Sequence, residues 1–314
     1  MLRVKVPRNK HDRTGWERLC MNEHHEHESH VCRGADTDIR TIAANTGLEG
    51  VLEFYPAVSY HPRKPGLVMD VMLPMRDDHE GGALPAVLFV QGSGWTTPNR
   101  LYAVPRLVRL ARRGFVVATV NHTDSQNGAH PFPEYLTDIK AALRFLRANA
   151  RQYRIDPERI GVWGTSSGGN AALLLGMTQD DSRYDDGSNP SVSDHVSYVV
   201  ACFPPADIPA LLGRDRTPGI VDCVEAVTGG GAELARAMSP QYVVTAQTQC
   251  PPTLLLHGDA DTLVPYAQSE QLYLRMREQG HDVRMIRVAG ADHESNFWGP
   301  EVVDAIIDYI TAHA

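Results

Sequence analysis

The stretch Gly164-Thr165-Ser166-Ser167-Gly168 restricts what this chain can fold into more than any other. Before it, Arg159–Trp163 reads as a short buried strand; after it, Gly169–Leu175 reads as a helix. A chain that passes from strand to helix through such small residues turns so tightly that the two elements nearly touch. The serine at the tip, Ser166, is then held in a strained backbone and projects its hydroxyl beyond the C-terminal edge of a sheet. The free N–H groups of the following helix face it. The pattern alone is common in glycine-rich turns; its setting between a strand and a helix gives it meaning.

The rest of the chain agrees with that setting. From about Pro85 onward, strand-like and helix-like segments alternate, which asks for a mostly parallel sheet flanked by helices. Continuous apolar runs at Leu84–Val90, Phe115–Val120, Val196–Phe203 and Pro252–His257 have the character of strands buried on both faces, and Asp282–Val288 closes the series. Helical periodicity covers 101–113, 133–151, 266–278 and 300–312. Ahead of these, Gly50–Pro56 and Gly66–Pro74 read as an antiparallel edge. The 314 residues therefore suit one large α/β domain over 49–314, preceded by an extension over 1–48. Residues 204–251 are too long for a plain connection. They are expected to form a small cap, with short helices at 208–212 and 223–237. The polar arm 1–48 reads either as solvated or as a further part of the cap.

Composition excludes several classes of partner. The formal charge of −8, with no basic cluster beyond single helix faces, argues against nucleic acid. No apolar run is long enough to span a membrane. The basic first residues are not followed by an apolar signal core, so the chain reads as cytoplasmic, with a signal peptide already removed left open. The five cysteines include no C-x-x-C and fit reduced thiols; Cys223 and Cys250 are the pair to inspect for a bridge. His24, His25, His27 and His30 sit among three glutamates, but their spacing matches no structural zinc pattern. The acidic stretch 179–190 lacks the ordered ligand spacing of a calcium loop. No metal is expected.

Three strand ends, taken in order, present Ser166, Asp261 and His293. A serine hydroxyl at neutral pH is a poor nucleophile. It needs a base within hydrogen-bond reach, and the base needs a partner that fixes its tautomer. His293 follows the last strand in a glycine-containing loop and is the expected base. His257 lies inside a strand and reads as structural, while His122 and His130 read as pocket or loop residues. Asp261 is the expected acid, with Asp259 and Asp207 as alternatives; Asp292 reads as a local turn residue. An oxyanion is expected to be met by the N–H of Ser167 and by the loop at 91–94. Trp95 has two readings, a wall of the acyl pocket or an aromatic packed under the loop. Leu211 and Ile220, from the 204–251 insertion, are expected to form an apolar wall.

On Asp70–Pro74, Gln91–Trp95, Asp138–Leu146, Asp156–Ile160, Gly164–Gly169, His257–Pro265 and Asp292-His293, the chain resembles the α/β-hydrolase superfamily in its esterase/lipase branch. It is similar there to hormone-sensitive-lipase-like carboxylesterases and to feruloyl- or acetyl-esterase-like proteins. The resemblance covers about Phe54 to the C-terminus. It implies the α/β-hydrolase fold, Ser166 as nucleophile, Asp261 as acid, His293 as base, and oxyanion donors at Ser93, Gly94 and Ser167. One departure stands out: members usually carry His-Gly-Gly where this chain has Gln91-Gly92-Ser93. The expected function is a serine carboxylic ester hydrolase working through an acyl-enzyme on small or medium esters, feruloyl or acetyl esters among them. It needs no cofactor, its partner is a small-molecule ester, and self-association into a homo-oligomer is open. The alternatives are a prolyl-oligopeptidase-like peptidase or amidase, although no propeller repeat precedes the domain, and a non-catalytic binding protein on the same fold.

Overall fold

A computed structural model describes residues 2–4, 40–76, 81–126, 131–212 and 218–314. The strands are β1 (Leu2–Val4), β2 (Leu52–Ser59), β3 (Val68–Pro74), β4 (Leu84–Val90), β5 (Val116–Val120), β6 (Ile155–Thr165), β7 (Val199–Cys202), β8 (Thr253–Gly258) and β9 (Val283–Val288). They form one nine-stranded sheet in the order β1-β2-β3-β5-β4-β6-β7-β8-β9. β2 and β3, and β3 and β5, pair antiparallel; every other pair is parallel. The larger helices are α1 (Val104–Ala111), α2 (Glu134–Ala148), α3 (Ser167–Met177), α8 (Ala267–Glu278) and α9 (Pro300–His313).

The apolar runs are central because both faces of the sheet are covered. Successive residues of a strand point to opposite faces. Leu88 and Val90 therefore join one buried cluster, with Ile139 and Leu143 of α2 and Leu174 of α3. Val87 and Phe89 join the other, with Leu107 and Leu110 of α1 and Ile306 and Ile310 of α9. Each such side chain contributes about 1.5–3 kcal/mol by leaving water. At the far edge β9 is only partly buried, so its sequence carries arginines between apolar residues.

Among its described residues the insertion forms four short helices: α4 (Ile208–Leu211), α5 (Pro218–Thr228), α6 (Ala232–Ala237) and α7 (Pro240–Val243). The single helix expected over 223–237 is broken. Gly229 and Gly230 take φ of 58° and 71°, a left-handed turn that ends α5 before α6 begins. A second difference lies at the N-terminus, where Leu2–Val4 adds a parallel strand to β2. Three residues held through backbone hydrogen bonds leave no periodicity to read. The histidine-rich tract 21–32 and His130 lie outside the described residues.

Cys202, Cys223 and Cys250 are free thiols, so the pairing considered for Cys223 and Cys250 is not formed. Burial pushes the Cys202 and Cys250 thiols up to about 12. The acidic loop at 179–190 is a packed surface element. Its Asp185 pairs with Arg144, and Asp186 pairs with His61 and Arg63. No helix among the described residues is long and apolar enough to cross a membrane.

Candidate active site

The turn between β6 and α3 is as tight as its composition requires. A Cβ on Gly164 would lie 2.0 Å from the Gly168 carbonyl oxygen, and one on Gly168 would lie 2.2 Å from that of Val90. On the neighbouring loop 91–95, a Cβ on Gly92 would meet the Ser166 Cβ at 2.6 Å. Ser166 sits at the tip with φ 52° and ψ −124°. Such a conformation is costly for a residue with a Cβ and persists where packing on all sides enforces it.

From there a hydrogen-bonded relay runs across three strand ends. Ser166 Oγ lies 3.0 Å from His293 Nε2, and His293 Nδ1 lies 2.7 Å from Asp261 Oδ2. The Asp261 side chain is fully buried, and that of His293 is 11% exposed. Asp261 Oδ1 accepts the N–H groups of Leu263 and Val264, which fixes the carboxylate in the turn after β8. Burial alone would raise the Asp261 carboxyl. Hydrogen bonds from His257 and His293 outweigh it and hold the group well below the usual carboxylate range. With Asp261 ionised, His293 Nδ1 is the donor to it, and Nε2 is left free to accept the Ser166 proton.

The other candidate acids are engaged elsewhere. Asp259 accepts the Gly290 N–H and pairs with Arg287. Asp207 accepts the Ala210 N–H at the start of α4. Asp292 accepts the N–H groups of Thr262 and His293, so it shapes the loop that carries His293. His122 is buried, with Nδ1 2.8 Å from the Thr123 carbonyl oxygen, and packs against Tyr135.

Loop 91–95 lies against the elbow. The Gly92 N–H donates to Thr165 Oγ1, and the Ser93 N–H donates to Ser167 Oγ at 2.9 Å. Ser93 Oγ donates to the Thr96 carbonyl oxygen, while Thr96 Oγ1 donates to that of Ser93. Gly94 turns with φ 60°. A Cβ there would meet Gln126 Nε2 at 3.2 Å and Cys223 Sγ at 3.3 Å, so α5 comes down onto this loop. Trp95 is fully buried and belongs to the large core cluster that also holds Leu211 and Ile220.

Several contributors escaped the sequence reading. Phe203, just beyond β7, takes φ 40° and sets its ring edge-on to His293 at 4.6 Å between centroids. His257, expected as a structural strand residue, touches Asp261 through the interior, a contact the sequence did not show. Gln91 and Glu294 are hydrogen-bonded although 203 positions separate them. None of these shows a local pattern; only the strand ends at 203 and 257 hinted at a place near the site. A separate cavity of about 390 Å³ lies between Met177–Asp181 and Thr245–Gln249, away from Ser166.

A parallel sheet with an antiparallel edge, a strained serine between strand and helix, and an aspartate and a histidine on later strand ends define an α/β-hydrolase fold. Residues 69–276 match the BD-FAE family, and the chain belongs to it, within the esterase/lipase branch of the α/β hydrolases. Esterase LipC of Mycobacterium tuberculosis is 30% identical over 260 residues, which are 80% of this chain and 61% of LipC. This chain thus spans less than two thirds of that relative. A carbohydrate esterase from gut microbiota, solved in truncated form, superposes with a TM-score of 0.72 at 26% identity, covering 83% of this chain and 95% of that one. The bifunctional GH43-CE protein of Bacteroides eggerthii gives 0.73 at 28% identity, over 83% of this chain and 38% of its own.

Proposed function

We propose that the chain is a serine carboxylic ester hydrolase that works through an acyl-enzyme on Ser166. The observation that carries this is the unbroken relay from Ser166 Oγ through His293 to the buried Asp261 carboxylate. His293 Nε2 takes the hydroxyl proton as Ser166 Oγ forms a bond to the ester carbonyl carbon, and the carbonyl oxygen becomes an oxyanion. Collapse of that adduct breaks the bond to the alcohol oxygen, which leaves with the proton from His293. Water then gives a proton to His293 and attacks the acyl-enzyme; the second adduct expels Ser166 Oγ, which recovers the proton, and the carboxylic acid departs. The N–H groups at the start of α3, Ser167 among them, and those of Ser93 and Gly94 are the expected donors to the oxyanion.

For substrate, we favour a short acyl group, acetyl before feruloyl, on a carbohydrate alcohol. The walls are close where the acyl group would sit, because Gln126 and Cys223 crowd Gly94. The names of two structural relatives, a carbohydrate esterase and a GH43-CE protein, point the same way. Leu211 and Ile220 of the insertion, and Trp95 of the loop itself, are buried in the core on the same face of the sheet. The test is turnover of p-nitrophenyl acetate, butyrate and octanoate, an acetylated monosaccharide, methyl ferulate and an aminoacyl anilide. The expected result is highest kcat/KM for the acetyl esters. Preference for the anilide would replace this reading with the amidase one.

A further inference from the structure

Gln91, the first residue of the 91–95 loop, has a hydrogen-bond partner 203 positions away in the chain. Gln91 is at the end of β4, at the root of the loop that approaches Ser166, and is buried. Its Nε2 donates to Glu294 Oε1 at 3.0 Å. A carboxylate only accepts hydrogen bonds, so the amide must turn its NH₂ group toward it. Glu294 directly follows His293 and has φ 62°, a left-handed conformation that non-glycine residues seldom adopt. Its other oxygen, Oε2, accepts Trp298 Nε1–H at 2.6 Å. The Arg106 guanidinium of α1 lies 3.9 Å over the Trp298 ring. Burial lowers the Arg106 pKa, and the Glu294 charge opposes that shift.

We propose that Gln91 and Glu294 form a latch that holds the oxyanion loop and the His293 loop at a fixed separation. Both are positioning residues, acting through Gly92–Gly94 on one side and His293 on the other. The inference rests on the hydrolase reading above. Without the latch, two loops from distant parts of the chain meet at Ser166 with no direct side-chain tie at this point. With it, the strained Glu294 backbone is anchored by both carboxylate oxygens, and His293 inherits that anchoring through one peptide unit. Small misplacements of reacting groups are expensive: about 1 Å costs on the order of 10²-fold in rate.

The pair allows a donor–acceptor exchange. Gln91→Glu sets two carboxylates against each other. Glu294→Gln keeps an acceptor for Trp298 and leaves two amides facing, which can still bond. The double variant Gln91→Glu/Glu294→Gln restores one amide and one carboxylate with their roles swapped. With p-nitrophenyl acetate, Gln91→Glu is expected to lower kcat on the order of 10²-fold while KM changes little. Glu294→Gln is expected to cost less than about tenfold. The double variant is expected to recover to within about tenfold of wild type, well above the product of the single losses. Melting temperatures and the rate of Ser166 labelling by a fluorophosphonate are measured on the same full-length proteins. Losses that multiply, or that simply follow the melting temperature, overturn the latch. If wild type neither labels at Ser166 nor turns over any ester, the hydrolase reading fails and takes the latch with it. If wild type does both and no coupling is found, the latch alone fails.

Discussion

His257 Nε2 lies 3.3 Å from Asp261 Oδ2, the same oxygen that meets His293. His257 Nε2 also lies 2.8 Å from the Val264 carbonyl oxygen, while Nδ1 lies 2.7 Å from Ser269 Oγ. Facing two acceptors, Nε2 must carry a proton, and Nδ1 then accepts from the serine hydroxyl. Asp261 is thus held from the interior by a fully buried histidine. His257→Ala removes that donor and opens a gap in the core. It is expected to lower both kcat and thermal stability, whereas Ser269→Ala, which disturbs only the tautomer, should move kcat less. Steady-state kinetics and melting curves of the two variants check the order.

Ser166→Ala removes the atom that forms the covalent bond. Ester turnover is expected to fall by at least about 10³-fold, to the level that binding and oxyanion donors alone supply. Near-wild-type kcat in a folded variant would rule out the acyl-enzyme route.

Asp261→Asn separates catalysis from stability. Its kcat is expected to drop on the order of 10³–10⁴-fold, because the amide no longer enforces the His293 tautomer. The folded-state carboxyl lies below its unfolded value, near 3.9. Its stabilisation is therefore complete above roughly pH 5 and is lost as the pH falls through the folded-state titration. The melting-temperature gap between wild type and variant should shrink as the pH falls below about 4. A gap that widens below about pH 4 would contradict the sign.

The order of strands and helices was legible because buried parallel strands need continuous apolar runs, and each ends in a loop of small or polar residues. Ser166, Asp261 and His293 were legible for the same reason: each lies just past such a run. Contacts between loops were not. Gln91 with Glu294 and Phe203 with His293 join distant segments through side-chain geometry that leaves no local pattern. The break at Gly229 and Gly230 was visible as a glycine cluster, yet the apolar residues on either side kept a helical spacing across it.

Gly164→Ala tests the close approach at the elbow. Its Cβ would collide with backbone, which cannot rotate away. Overpacking of this kind costs about 1–3 kcal/mol, and more where nothing yields. The expected result is a melting temperature lower by at least about 5 °C and slower fluorophosphonate labelling. Gly219→Ala is the control. That residue opens α5 with free space around it, so the change should be neutral or stabilise by up to about 1 kcal/mol.

Ser167→Ala asks whether Ser93 serves the oxyanion. In the free protein its N–H is taken by Ser167 Oγ, so a developing oxyanion competes with that hydroxyl. A neutral hydrogen bond contributes a net 0.5–1.5 kcal/mol or so. Removing the competitor should raise kcat by about two- to tenfold with little change in KM. A tenfold loss would instead mean that the Ser167 hydroxyl itself donates to the oxyanion.

Leu211→Ala and Ile220→Ala probe the insertion. Both side chains are buried, at 0% and 6% exposure, in the cluster that contains Trp95. Truncation there costs about 2–5 kcal/mol and leaves a void unless neighbours collapse into it. If that void opens toward Ser166, longer acyl chains gain room, at roughly 1–3 kcal/mol per methylene accommodated. The ratio of kcat/KM for octanoyl over acetyl esters should therefore rise in at least one variant, while acetyl turnover changes less. Measuring at a temperature well below both melting points keeps unfolding out of the comparison. A common factor across acetyl, butyryl and octanoyl esters would leave both residues as core alone and move the search for the acyl wall to Gln126 and Cys223, which already crowd Gly94.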